Sequence, residues 1–236
     1  MVHLLIPAAG SGKRMGSERN KLLLPLRDRP VLAWTLLAAA AAPRVQWIGI
    51  ICQPIDQPDF EEIVNSLKLS IPAVFVTGGA TRQASVYNGL QALPTQATQV
   101  LIHDGARCLA TPDLFDRCAI ALQDCPGLIA AISVKDTIKQ VNSDGLITAT
   151  PDRSQLWAAQ TPQGFDVALL KECHSKGARL DWGVTDDAAL FEKCNLPVKI
   201  VPGEETNLKV TTPVDLAIAA FILRQRQLAP EAGQPL

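Results

Sequence analysis

Short apolar runs alternate with helix-like segments through the first half of the chain, and that alternation leaves few folds open. Residues 4–6, 47–52, 74–77, 100–103 and 128–134 read as buried strands. Between them, residues 31–42, 59–67, 82–93 and 112–124 read as helices, with Pro30 and Pro112 at first-turn positions where a missing N–H costs little. Strand following helix following strand implies an α/β fold, a mostly parallel sheet covered on both faces. Ligands of such sheets bind beyond the carboxyl ends of the strands, near the point where strand order reverses. Gly10, Gly78-Gly79 and His103-Asp104-Gly105 all fall at strand exits, so they are expected to converge on one rim.

The rhythm breaks after Val134. Residues 135–140, a turn at Asn142-Ser143-Asp144-Gly145, and residues 146–150 read as a β-hairpin. Residues 152–165 follow without helical periodicity, so 135–161 is expected to project as an arm. An isolated hairpin buries little by itself, and a second protomer is the expected cover. Helices over 166–176 and 185–194, a strand over 198–201 and a helix from Thr212-Pro213 to about Arg226 resume the pattern. One domain over 1–228 and a frayed tail over 229–236 complete the expected organisation.

The 236 residues are 47% hydrophobic and carry a net charge of −1, so no global field draws the chain to nucleic acid or to a membrane. Six cysteines without a C-x-x-C pair and three scattered histidines argue against zinc or a disulfide framework, and for a cytoplasmic chain. The beginning of the chain carries neither a basic stretch nor a long apolar stretch of the signal-peptide kind. Residues 31–42, the most apolar segment, are too few to span a bilayer.

Chemistry concentrates in the loop Pro7-Ala8-Ala9-Gly10-Ser11-Gly12-Lys13-Arg14-Met15-Gly16, with Lys21 just beyond. Small residues let the backbone approach a ligand and present bare N–H groups, while Lys13, Arg14 and Lys21 supply charge for a polyphosphate. Walker A spacing fails because Arg14 follows Gly12-Lys13. The dinucleotide fingerprint fails because Gly10, Gly12 and Gly16 are spaced one residue too long, and no acid ends the next strand. Gly78-Gly79-Ala80-Thr81-Arg82, with Ser85 one turn on, reads either as an ordinary strand–helix turn or as a contact to base and ribose. Asp104 at a strand exit needs a cation; Mg²⁺ bridging phosphates suits it, and pairing with Arg107 is the alternative. His103 reads as a packed residue. Arg153 on the hairpin, Thr185-Asp186-Asp187 at a helix start and Lys209 before the last helix are each ordinary surface features when taken alone.

In combination they are not ordinary. P-A-A-G-x-G-x-R-M, a following Lys, G-G-x-x-R, H-D-x-A-R, D-T, D-R-x-x-L-W, T-P-Q, T-D-D and N-x-K-x-T occur in that order. The chain thereby resembles the 2-C-methyl-D-erythritol 4-phosphate cytidylyltransferase family over about residues 4–221. The resemblance implies a Rossmann-like three-layer domain with a β-arm, a homodimer formed through that arm, and CTP with Mg²⁺. It implies that Arg14 and Lys21 flank the triphosphate and the transition state. Ala8, Ala9, Gly10, Gly12, Gly79 and Ser85 match positions around the nucleotide, and Asp104 matches the acid near metal and ribose. Arg107, Thr137, Thr185 and Lys209 match the acceptor pocket, with Arg153 and Thr161 reaching in from the partner subunit. Ala80 stands where an Asp is common, and Cys108 where a Pro is common. A ribitol-5-phosphate cytidylyltransferase, another sugar-phosphate nucleotidyltransferase and a catalytically silent nucleotide sensor are the competing readings.

Overall fold

The computed structural model describes residues 1–10 and 20–228. The chain runs β1 (Val2–Pro7), β2 (Pro25–Leu26), β3 (Arg29–Pro30), α1 (Val31–Ala40), β4 (Val45–Cys52), α2 (Gln57–Leu67), β5 (Ala73–Thr77), α3 (Arg82–Gln91), β6 (Gln99–Ile102), α4 (Pro112–Ala121) and β7 (Gly127–Ser133). It continues through β8 (Gln140–Val141), β9 (Ile147–Ala149), β10 (Trp157–Asp166), α5 (Val167–Arg179), α6 (Ala188–Lys193), β11 (Lys199–Pro202) and α7 (Pro213–Leu228). A seven-stranded sheet has the order β11-β7-β10-β6-β1-β4-β5. Every pairing in it is parallel except those of β10 with β6 and β7.

Strand β1 lies in the middle and is apolar on both faces, as a buried parallel strand must be. Leu4 and Ile6 pack toward α1, α2, α4 and α7. Leu5, pointing the other way, packs toward α3, α5 and α6. The two cores make the expected three layers. From β1 the chain builds β4 and β5 on one side, then crosses back to place β6 on the other. Strand order therefore reverses beside β1, and the crevice opens there at the carboxyl ends of β1 and β6. Among the described residues no helix is long and apolar enough to cross a membrane.

Strand β10 corrects the sequence reading. Residues 157–159 are not a separate arm: they pair with β7 as the first part of β10, whose later residues 163–165 lie between β6 and β7. The signal was weak because Gln160, Thr161 and Gln163 are polar, and Pro162 and Gly164 are poor strand residues. These three polar side chains are nevertheless buried. Gln160 Nε2 donates to the Glu204 carbonyl (2.9 Å) and Gln163 Nε2 to Asp186 (2.8 Å). Tertiary partners thus offset much of the penalty that burial would otherwise impose. The register of β10 against β7 shifts between Ala159 and Gln163, and such an irregularity re-aims side chains. The hairpin itself is real but short, β8 against β9, and all of its residues are exposed. Pro30 also differs from expectation: it precedes α1 rather than occupying its first turn.

Phe165 on β10 is fully buried and its ring lies 4.7 Å from that of Phe191 on α6. Truncating Phe165 to Ala should lower unfolding free energy by about 3–5 kcal/mol. Urea denaturation reads this directly, and a loss below about 1 kcal/mol would show that β10 is not part of the core.

Candidate functional site

Three loops at the carboxyl ends of the strands enclose a cleft of about 670 Å³. Pro7–Gly10 leaves β1, residues 79–82 lead into α3, and Asp104–Ala106 leaves β6; Lys209 and Thr211 close the fourth side. The convergence expected of the strand exits is observed. Gln53, at the end of β4, adds an amide.

The glycine turn is close-packed. A Cβ on Gly78 would lie 2.7 Å from the Ala9 Cβ, and one on Gly79 would lie 2.6 Å from the Ala84 Cβ. Only glycine lets this loop pass so near the β1 exit. Ser85 Oγ accepts from the Gly79 N–H (3.0 Å) and donates to the Thr81 carbonyl (2.8 Å). Thr81 caps α3 by accepting from the Ala84 N–H (3.1 Å). Ser85 therefore shapes the loop, and the N-terminal end of α3 lies beside the cleft with its positive dipole end.

Lys21 begins a single 3₁₀ turn, Lys21–Leu23. Asn20 anchors that turn: its amide donates to the Ala8 carbonyl and to Asp56, both at 2.8 Å, and its Oδ1 accepts from the Leu22 N–H at 3.1 Å. Lys21 Nζ donates to the Val210 carbonyl (2.8 Å), which sets the ammonium between the first loop and the loop before α7. Asn20 had no motif of its own and went unnoticed in the sequence. Arg14 and Gly12 lie outside the described residues, as do Lys13 and the tail 229–236.

Asp104 is the one carboxylate among the described residues lining the cleft. Lys209 Nζ pairs with its Oδ2 at 2.8 Å, and Arg107 Nε lies 3.8 Å from the same oxygen. Burial alone would raise its pKa, but Lys209, Arg82 and Arg107 outweigh that and hold it below the usual carboxylate range. Behind it runs a hydrogen-bonded chain. The Asp104 N–H donates to Thr161 Oγ1 (3.0 Å), the Thr161 hydroxyl to His103 Nδ1 (3.1 Å), and His103 Nε2 to the Arg107 carbonyl (3.2 Å). The tautomer follows from the partners, because a carbonyl can only accept. His103 is fully buried, with its pKa pushed down by burial to about 4. It is the packed residue the sequence suggested.

The acceptor-side expectations divide. Lys209 lines the cleft. Thr161 does not reach in from a partner: it is buried in this chain's own sheet and holds the Asp104 backbone. Arg107 is also turned inward, donating to the carbonyls of Asn207 (2.7 Å) and Ala159 (3.3 Å). It ties the Asp104 loop to β10 and to the loop of Lys209. Asn207, from the N-x-K-x-T motif, is fully buried and grips β10 through Gln160 Oε1 (3.2 Å) and the Thr161 carbonyl (2.9 Å). Thr137, Arg153 and Thr185 are exposed and do not line the cleft. Cys108 is buried, and Arg226 secures the adjoining Leu109 carbonyl at 2.8 Å, so that loop is tied despite the missing proline. Arg82 lines the cleft, a residue present in the G-G-x-x-R pattern to which no role was attached.

Comparison with known proteins gives this geometry a family. The family model for 2-C-methyl-D-erythritol 4-phosphate cytidylyltransferase matches residues 2–225. A protein of that name from Nostoc punctiforme is 69% identical, with 95% of this chain and 99% of the relative aligned. Another from Crocosphaera subtropica is 70% identical over the same shares. Among solved structures, 4-diphosphocytidyl-2C-methyl-D-erythritol synthase from Anaerococcus prevotii superimposes with a TM-score of 0.85 at 33% identity, covering 95% of this chain and 98% of that one. The cytidylyltransferase from Thermus thermophilus gives a TM-score of 0.78 at 33% identity, covering 94% and 98%. The cleft at the β1–β6 switch point, with Asp104 and the cations around it, thus belongs to a member of the 2-C-methyl-D-erythritol 4-phosphate cytidylyltransferase family.

Proposed function

We propose that this chain joins the phosphate of 2-C-methyl-D-erythritol 4-phosphate to the α-phosphate of CTP. A phosphate oxygen of the acceptor forms a bond to the α-phosphorus, and the bond from that phosphorus to the bridging oxygen breaks to release pyrophosphate. The observation that carries this reading is the composition of the cleft wall. Among the described residues it holds one carboxylate, Asp104, and the cations Lys21, Arg82 and Lys209, with no His or Cys. Two polyanions need such neutralisation, and they need no base. The second pKa of a phosphomonoester is about 6, so the nucleophile is already largely dianionic at neutral pH. Ser85 has its hydroxyl committed to the loop, which argues against a covalent intermediate.

Positioning and charge then do the work. Ala8, Ala9, Gly10 and Gly79, together with Gly12, would hold base and ribose through backbone groups. Lys21, with Arg14, would stabilise charge growing on the α-phosphate and the leaving pyrophosphate, at about 3–4 kcal/mol for each such donor. Lys209 would hold the acceptor phosphate. Mg²⁺ fits the donor set: it takes few protein carboxylates and fills its shell with phosphate oxygens and water, and Asp104 is the residue that would hold it. When bound, Mg²⁺ neutralises phosphate charge. Lys209 pairs with Asp104 at 2.8 Å, so the residue that would hold the cation and the residue that would hold the acceptor phosphate stand side by side. Both substrates are small soluble phosphates, and all six cysteines are unpaired, in keeping with a cytoplasmic enzyme.

A homodimer through the arm completes the proposal. The apolar Ile138, Val141, Leu146, Ile147 and Trp157 are exposed along the hairpin and its base, a surface that calls for cover. Arg153 sits on an exposed turn, donating to the Lys135 carbonyl (2.9 Å), and does not line its own cleft. It is available to the cleft of a second protomer, and Thr137, also exposed, is a further acceptor-side candidate. Thr185 remains the acceptor-side candidate from the same chain.

Pyrophosphate release from CTP should require 2-C-methyl-D-erythritol 4-phosphate and a divalent cation, with ribitol 5-phosphate much poorer. In that assay Lys21→Ala should cut turnover about 10²–10³-fold with little change in CTP affinity. Unaltered turnover would remove Lys21 from the chemistry. Inactive Arg14→Ala and Arg153→Ala protomers, mixed as heterodimers, should regain part of the activity, because one composite site is then whole. No recovery despite demonstrated mixing would confine Arg153 to its own chain.

His103 reports on stability rather than on catalysis. Its folded pKa of about 4 lies below the ordinary 6.5, so the unfolded chain takes up a proton first. Stability from this group is full above 6.5 and drains away as pH falls toward 4. Denaturation of His103→Gln across that window should show a shallower decline; an unchanged slope would mean that His103 is already protonated when folded.

A further inference from the structure

A second polar cluster lies behind the cleft wall, where α3, α5 and the start of α6 meet. Asp187 is 1% exposed, and its two carboxylate oxygens have different partners. Oδ2 pairs with Arg82 Nη1 at 2.8 Å, and Oδ1 accepts from His174 Nε2 at 3.1 Å. His174 is equally buried and stacks on Tyr87, with ring centroids 5.9 Å apart. Asp186, next to it, is occupied elsewhere: it accepts from the Ala189 N–H (3.1 Å) and from Gln163. The T-D-D motif is therefore more than a helix start with acids in its first turn, since its last residue is a buried counter-ion.

A buried ion pair with no further task is ordinarily enclosed at both ends. This one is not. The Arg82 side chain is 31% exposed and borders the cleft, at the first residue of α3, while its counter-ion is sealed inside. Among the described residues, Asp187 is the one ion-pair partner of its guanidinium. A guanidinium has five donors in a planar fork, and pairing Nη1 with Asp187 leaves further donors on a side chain that borders the cleft. The positive end of α3 reinforces it at the same place. A rigid fork aimed from behind is suited to phosphate, which it can meet with two parallel hydrogen bonds.

We infer that Arg82 is a further phosphate-holding residue for the nucleotide, and that Asp187 and His174 are positioning residues that aim it. This deepens the cytidylyltransferase reading and rests on it. Asp187 and His174 are too buried to touch substrate and act only through the guanidinium.

The test is a double-mutant cycle on the full chain, read by pyrophosphate release and by calorimetric binding of CTP. Arg82→Gln should raise KM and Kd for CTP about 10-fold or more. Arg82→Lys, keeping charge without the fork, should recover part of that. Asp187→Asn should weaken CTP binding in the native background and add nothing once Arg82 is Gln. A purely structural Asp187 would instead impose the same penalty in both backgrounds, which overturns the inference. So would Arg82→Gln with CTP affinity within about twofold of the native value. Arg82→Gln leaves a buried charge on Asp187, which costs stability; the Arg82→Gln, Asp187→Asn pair removes both charges and still reads the CTP affinity. If the native chain releases no pyrophosphate with any polyol phosphate, the proposed reaction fails, while the binding arm still decides the role of Arg82.

Discussion

At the end of β6 a carboxylate, Asp104, is taken largely out of water, and everything around it follows from how that cost is met. Lys209 provides the direct counter-charge, 2.8 Å away. The backbone that carries Asp104 is held by Thr161 and His103. Arg107 spans the same loop, β10 and the segment of Lys209 in one side chain. An acid without these cations would neutralise by protonation and lose its use as a cation ligand. With them it stays ionised in a cleft that otherwise favours anions.

That balance explains why the site is made of charges rather than of reactive groups. Mutual repulsion of the substrates is the obstacle in joining two phosphates, and a cleft that sets several cations around Asp104 meets it. Rigid support matters as much as charge, because electrostatic stabilisation is large only where donors need not reorganise. Here the support is built in depth. Asn20 sets the turn of Lys21, Asn207 sets the segment of Lys209, and the buried Asp187 meets Arg82. Each is a short polar residue, buried and lying one step behind a cation.

Residues that point at the cleft were legible in the chain itself because they sit in short glycine-bearing loops after apolar runs. Gly10, Gly79 and Asp104 needed only the rule that strand exits of a parallel sheet share one rim. The supporting residues were not legible. Asn20 and Asp187 look like loop or cap residues, and their importance comes from partners 36 and 13 positions away. The resemblance places Thr161 in a partner subunit, and nothing local counters that, since a polar stretch with Pro162 and Gly164 does not announce a central strand.

Local pattern, then, determined the α/β class, the parallel order of the early strands and the phosphate-directed chemistry, because hydrophobic period and glycine placement are properties of neighbouring residues. Tertiary structure alone decided that β10 runs antiparallel through the middle of the sheet. It also decided that Arg107 and Thr161 face inward, and that Arg82 stands in the wall. Those outcomes depend on which buried polar groups find partners far along the chain, and a hydrogen bond between distant residues leaves no periodicity behind.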